Sequence, residues 1–94
     1  MPKSIVSNEY KCLICGKPFG LHKHHVFYGT ANRKMSEKYG CWVWLCPYHH
    51  NTSMNSIHAN PGMDQKLKRE TQMIFEQTHS REEFMQIFGR SWID

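Results

Sequence analysis

Apolar and polar positions alternate along this chain in patterns that predict distinct elements. Leu21 to Tyr28 mixes Val26, Phe27 and Tyr28 with three histidines and predicts a strand. Trp42-Val43-Trp44-Leu45 predicts a second strand. Alternation there puts Trp42 and Trp44 on one face, with Cys41, Val43 and Leu45 on the other. Farther on, Met63, Leu67, Thr71, Ile74, Phe75 and Thr78 recur at helical spacing and form one apolar stripe. Ser80-Arg81-Glu82-Glu83 is a capping-box pattern. It opens a short helix that turns Phe84, Ile87 and Phe88 inward and stops at Gly89.

Polar stretches separate these elements. Residues 1–11 predict an irregular or short extended lead-in, and Cys12-Leu13-Ile14-Cys15-Gly16 a knuckle turn. Gly29 through Gly40 is polar and basic and predicts a loop with room for a helical turn. Pro47 suits the first turn of a helix carrying Tyr48, His49 and His50. Asn55, Asn60 and Pro61 then interrupt or end it. The expectation is an α+β fold, a β-hairpin closed by a helix with two C-terminal helices. It forms one domain over residues 1–94, with a core at about 10–60 and a helical extension at about 61–94.

A chain of 94 residues buries a limited share of its surface and benefits from a metal staple. It holds four Cys and seven His, six of those His between His22 and His58. The longest apolar run is Cys41 to Cys46, so secretion and membrane spanning are not expected. The expected setting is a reducing cytoplasm, where four Cys serve as ligands rather than as disulfides. Residues 1–50 hold seven Lys/Arg against two acids, and residues 51–94 hold five against six. The positive charge therefore lies with the Cys and His, as an approaching phosphate backbone requires; a generically basic surface explains the charge equally well.

Cys12-x2-Cys15 and Cys46-x2-His49 supply four ligands in two pairs about thirty residues apart, the pattern of a tetrahedral Cys3His zinc site. Gly16-Lys17-Pro18 argues against a redox reading of the first pair, which would have to open a helix. Cys41 is the spare, a buried thiol. His24, His25 and His50 form a second group. Adjacent helical residues point about 100° apart, so His49 can face the zinc while His50 faces the hairpin.

At Cys12-x2-Cys15, His24-His25-Val26 and Leu45-Cys46-x2-His49-His50-Asn51 the sequence resembles the HNH (ββα-metal) endonucleases, especially small bacteriophage-encoded ones. The resemblance covers about residues 12–51. It implies a β-hairpin and helix around one catalytic divalent ion, Mg2+ or Mn2+, beside a separate structural zinc. It also implies metal-dependent hydrolysis of DNA, leaving 3′-hydroxyl and 5′-phosphate ends, in a bacterial host cytoplasm. By the same resemblance His25 is the general base. His24 and His50 bind the catalytic ion, with His58 a further ligand folding back from beyond the helix. Arg33, Lys34 and Lys38 are the nearest candidates for phosphate contacts. A two-fold dimer would let two such sites cut both strands. Two departures stand out: Cys41 occupies the place of the family's Asn, whose role Asn32 would have to assume, and the second knuckle ends in His49 rather than Cys.

Two further readings share these residues. One is a non-catalytic, zinc-stabilised nucleic-acid-binding module. The other is a protein-interaction zinc domain using Trp42, Trp44 or Trp92 as exposed anchors.

Overall fold

A computed structural model describes residues 3–51 and 53–93 of the chain. Its elements run β1 (His22–His25), α1 (Thr30–Tyr39), β2 (Trp42–Leu45), α2 (Pro47–His50), a 3-10 turn (Ile57–Ala59), α3 (Pro61–Phe75) and α4 (Arg81–Phe88). Among the described residues this is a small α+β fold, with a two-stranded antiparallel sheet and four α-helices. The register pairs His22 with Leu45, Lys23 with Trp44, His24 with Val43 and His25 with Trp42. One face of the sheet thus carries His22, His24, Val43 and Leu45, and the other Lys23, His25, Trp42 and Trp44.

The first strand is shorter than the apolar pattern predicts, and the reason is a side chain. Ser36 captures both polar groups of Phe27, donating to its carbonyl at 2.7 Å and accepting from its N–H at 3.2 Å. Val26 still donates to the Cys41 carbonyl at 2.9 Å, so it is the backbone of Phe27 that can leave the ladder while both side chains stay fully buried. Ser36 belongs to α1, a ten-residue helix where the sequence predicted a loop. Its Gly29 N-cap offers no side-chain bond and its apolar content is low, so no capping or stripe signal marked it. Gly40 ends α1 at φ 74° against the N-terminal segment, whose Ile5 N–H donates to the Gly40 carbonyl at 2.9 Å. A Cβ at Gly40 would collide with the Lys3 carbonyl.

The core joins both halves of the chain. Phe27 packs against Phe84, Phe88 and Trp92 with ring centroids 5.1, 4.6 and 4.8 Å away. Trp92 is thus half-buried in this cluster rather than an exposed anchor, and Trp42 is only 8% exposed. The capping box forms as predicted, the Glu83 N–H donating to Ser80 Oγ at 3.0 Å, with Phe84 and Phe88 buried and Gly89 at φ 86°.

The α3 stripe is rotated from its expected position. Leu67, Thr71 and Phe75 are buried as predicted, but Met63 and Thr78 are exposed. The buried face is completed by Asp64, Lys68 and Gln72. These polar residues are paired: Asp64 accepts from Lys68 Nζ and from Tyr28 Oη, each at 2.9 Å. Gln72 accepts from the Trp92 N–H at 2.8 Å and donates to Ser91 Oγ at 3.0 Å, pinning the C-terminal segment. The Thr71 hydroxyl is buried with no partner among the described residues. Thr71→Val keeps the shape and removes an unsatisfied polar group, so it should raise stability by about 1 kcal/mol in urea unfolding. A loss of stability would mean that the hydroxyl is bonded to water. No helix among the described residues is long and apolar enough to cross a membrane.

Candidate metal centres

Two clusters of metal-ligating side chains lie on either side of α2. The first joins the knuckle at Cys12 and Cys15 to Cys46 and His49. Pro47 starts α2 directly after Cys46, and the His49 and His50 N–H groups both donate to the Cys46 carbonyl, at 3.1 and 2.9 Å. This single turn brings His49 back over Cys46. The knuckle is fixed by Gly16 N–H donating to the Cys12 carbonyl at 2.8 Å, and Leu13 N–H donating to Trp44 on β2 at 3.0 Å.

Cys15 Sγ lies 3.7 Å from Cys46 Sγ, and His49 Nδ1 lies 3.3 Å from Cys46 Sγ and 3.8 Å from Cys12 Sγ. A tetrahedron with zinc–sulfur bonds of about 2.3 Å and a zinc–nitrogen bond of about 2.0 Å has edges of about 3.5 to 3.8 Å. These cysteines are free thiols, and their sulfurs are well spaced for one ion. Burial pushes the Cys12 thiol up, but the backbone N–H groups of Cys15, Cys46 and Ile14 outweigh it and bring it down to about 6. The Lys17 N–H lowers the Cys15 thiol, yet burial and the neighbouring sulfurs prevail and leave it raised. Cys12, Cys15, Cys46 and His49 can therefore hold one metal ion. Cys41 stands apart as expected, fully buried and pushed up to about 12 by that burial.

The second cluster joins His24 of β1, His50 of α2 and His58 of the 3-10 turn, their ligand atoms within 4.8 Å of one another. The 3-10 turn brings His58 back beside the other two, the placement the sequence anticipated for it. His24 Nε2 is buried and has no hydrogen-bond partner among the described residues. Burial, then the neighbouring His50 and His58, hold His24 down at about 3. Burial, His58 and His22 likewise lower His50. The His24 and His50 rings are thus biased toward the neutral state, in which imidazole nitrogens bind metals. An unpartnered buried nitrogen between two further imidazoles fits a divalent ion.

A cleft of about 340 Å3 opens over this cluster, lined by the three histidines and by Lys23, His25, Tyr28 and Arg33. His25 alternates onto the other sheet face from His24 but reaches the same cleft. His25 Nε2 lies 3.0 Å from Glu37 Oε1 on α1. An ionised carboxylate only accepts, so a neutral His25 donates through Nε2–H and keeps its basic lone pair at Nδ1. No protein-family model, curated protein or solved structure matches the chain. The site is therefore read from its own geometry.

Glu37 and His22 are functional candidates that the sequence did not single out. Glu37 also accepts from Lys23 Nζ at 3.2 Å, and the His25 bond, partly opposed by burial, holds its carboxyl below the usual range with help from Lys23. His22 Nδ1 lies 3.1 Å from His50 Nδ1, a contact that orients the His50 ring. Of the basic residues expected to meet phosphate, Arg33 lines this cleft and Lys34 the adjoining hollow with His25 and Glu37. Lys38 lines neither; its ammonium sits 5.5 Å from the Tyr39 ring. Lys23 is in the cleft instead. Asn32 does not reach His25 either, because its Nδ2 donates to the Phe88 carbonyl at 3.4 Å.

Proposed function

We propose that the chain is a metal-dependent endonuclease of the HNH type, hydrolysing DNA phosphodiester bonds in the histidine cleft. One observation carries the reading: His24, whose buried Nε2 is unpartnered, converges with His50 and His58 beside a carboxylate-held His25. The order β1, β2, α2 around that cluster supports a ββα-metal core, with α1 inserted between the strands. Cys12, Cys15, Cys46 and His49 would hold a structural zinc, and His24, His50 and His58 the catalytic ion. When bound, that ion polarises a phosphoryl oxygen and stabilises charge on the leaving oxygen. Three imidazole donors suit a transition ion such as Mn2+ better than Mg2+, which prefers oxygen ligands.

The chain's own residues would do the rest. His25 Nδ1 takes a proton from water as the water oxygen bonds to phosphorus. The P–O3′ bond then breaks, and the leaving oxygen gains a proton from solvent, giving a 3′-hydroxyl and a 5′-phosphate. Glu37 fixes the His25 ring and tautomer, while Arg33 and Lys23 supply positive charge to the phosphate. Glu37→Gln should lower the cleavage rate about 10- to 100-fold without changing the melting temperature or metal content. An unchanged rate would remove Glu37 from the mechanism.

The direct test is incubation of zinc-loaded protein with supercoiled plasmid and Mn2+, Mg2+ or EDTA. Nicked or linear product that requires added cation, with Mn2+ ahead of Mg2+, is expected. A folded, zinc-loaded protein that cuts in neither ion would instead be a nucleic-acid-binding module. The buried Cys41 in the place of the family's Asn favours that second reading.

A further inference from the structure

A second cleft, of about 430 Å3, lies on the sheet face that carries Trp42 and Trp44. Its walls include Lys3, Ser7, Asn8 and Lys23 besides the two indoles. The N-terminal segment forms one wall because Ser4 Oγ donates to the Trp42 carbonyl and accepts from the Val6 N–H at 3.1 Å. Trp44 is half-buried, and Tyr10, 53% exposed, stands edge-on to it at 4.8 Å. Lys23 Nζ sits 4.3 Å from the Trp42 ring centre and 5.9 Å from that of Trp44. Every ionisable group lining the cleft is a cation; the carboxylate nearest Lys23, Glu37, is already engaged by Lys23 and His25. Trp42 Nε1–H has no acceptor among the described residues.

Aromatic faces interleaved with cations are what unpaired nucleotides need: the base stacks and the phosphate is neutralised. Bases inside a duplex have no free face to offer. The cleft is also joined to the histidine site. Lys23 lines both, and Trp42 is the cross-strand partner of His25. A strand whose phosphate lay at His25 would therefore bring a neighbouring nucleotide to Trp44, the less buried of the two indoles.

We infer that this cleft receives an unpaired DNA base next to the scissile phosphate, making single-stranded, frayed or branched DNA the preferred substrate rather than intact duplex. The inference rests on the nuclease reading for the word substrate, but not for the binding itself.

The test uses the zinc-loaded 94-residue chain with no added divalent cation. It measures indole fluorescence and anisotropy with a thymidine oligonucleotide of about twelve nucleotides, and with a duplex of equal length. Quenching and tighter binding of the single strand are expected. Trp44→Ala should weaken that binding about tenfold at unchanged melting temperature, and Trp44→Phe should retain most of it. Should Trp44→Ala not fold, Lys3→Glu, at an exposed position, is expected to weaken binding several-fold. Duplex bound as tightly as single strand, or binding indifferent to these changes, would overturn the inference even if the protein cuts plasmid. Trp44-dependent binding in a protein that cuts nothing would sustain it and remove only the nuclease reading.

Discussion

Cys46→Ala, or zinc stripped by a strong chelator, should abolish the cooperative fold of this protein. The two strands have four residues each, and a lone two-stranded sheet is marginal in water. Besides the Leu13 N–H bond to the Trp44 carbonyl, an ion held by Cys12, Cys15, Cys46 and His49 would tie them to the knuckle and to α2. Cys12 and Cys46 are almost wholly buried, at 1% and 2% exposure, while Cys15 is exposed and His49 half-buried, so the site sits at the edge of the core with two ligand positions inside it. Structural zinc in such sites contributes about 10 kcal/mol or more to folding, and whole domains are stable by only about 5–15 kcal/mol. Loss of a zinc held there would therefore remove most or all of the margin. Circular dichroism during chelation, with metal counted by mass spectrometry, reads the effect. The expected result is one zinc lost together with the thermal transition. A Cys46→Ala protein melting within a few degrees of the wild type would show that the four residues are not a staple.

His25→Ala should have the opposite profile, a large loss of cleavage with the fold untouched. His25 packs at the cleft margin with a side chain 20% exposed, and its hydrogen-bond partner there is Glu37. Removing it creates no core cavity and takes no ligand from either metal cluster. A positioned general base contributes about 10²- to 10⁴-fold to rate, so cleavage should fall by that range. His24→Ala differs: it removes a buried imidazole of the His24, His50 and His58 cluster and should lower the affinity for a cation added there as well as the rate.

The Cys12, Cys15, Cys46 and His49 cluster was legible because its spacing is itself the signal. Two-residue gaps bring Cys12 to Cys15 and Cys46 to His49 whatever the rest of the chain does. The step from His49 to His50 follows from helical geometry alone, and so does their division between two clusters. The second strand and the α4 capping box were legible for the same reason, since each is a local pattern. Helix α1 was not, because what it buries is Ser36, held by the backbone of Phe27 rather than by an apolar stripe. Missing that helix meant missing Glu37, whose carboxylate reaches His25 only from a helical turn. The α3 face was misjudged where Asp64, Lys68 and Gln72 are buried through pairing, which hydrophobicity cannot register. The tryptophan cleft also depends on a long-range event, the N-terminal segment docking on Gly40 and Trp42.

The measurement that tests the central claim most directly is plasmid cleavage in Mn2+ by wild type and His25→Ala at equal zinc content and equal melting temperature. Cation-dependent nicking by the wild type, reduced at least a hundredfold in the variant, is the predicted result. Equal rates from the two proteins, or no cleavage by a folded, zinc-loaded wild type, would contradict it.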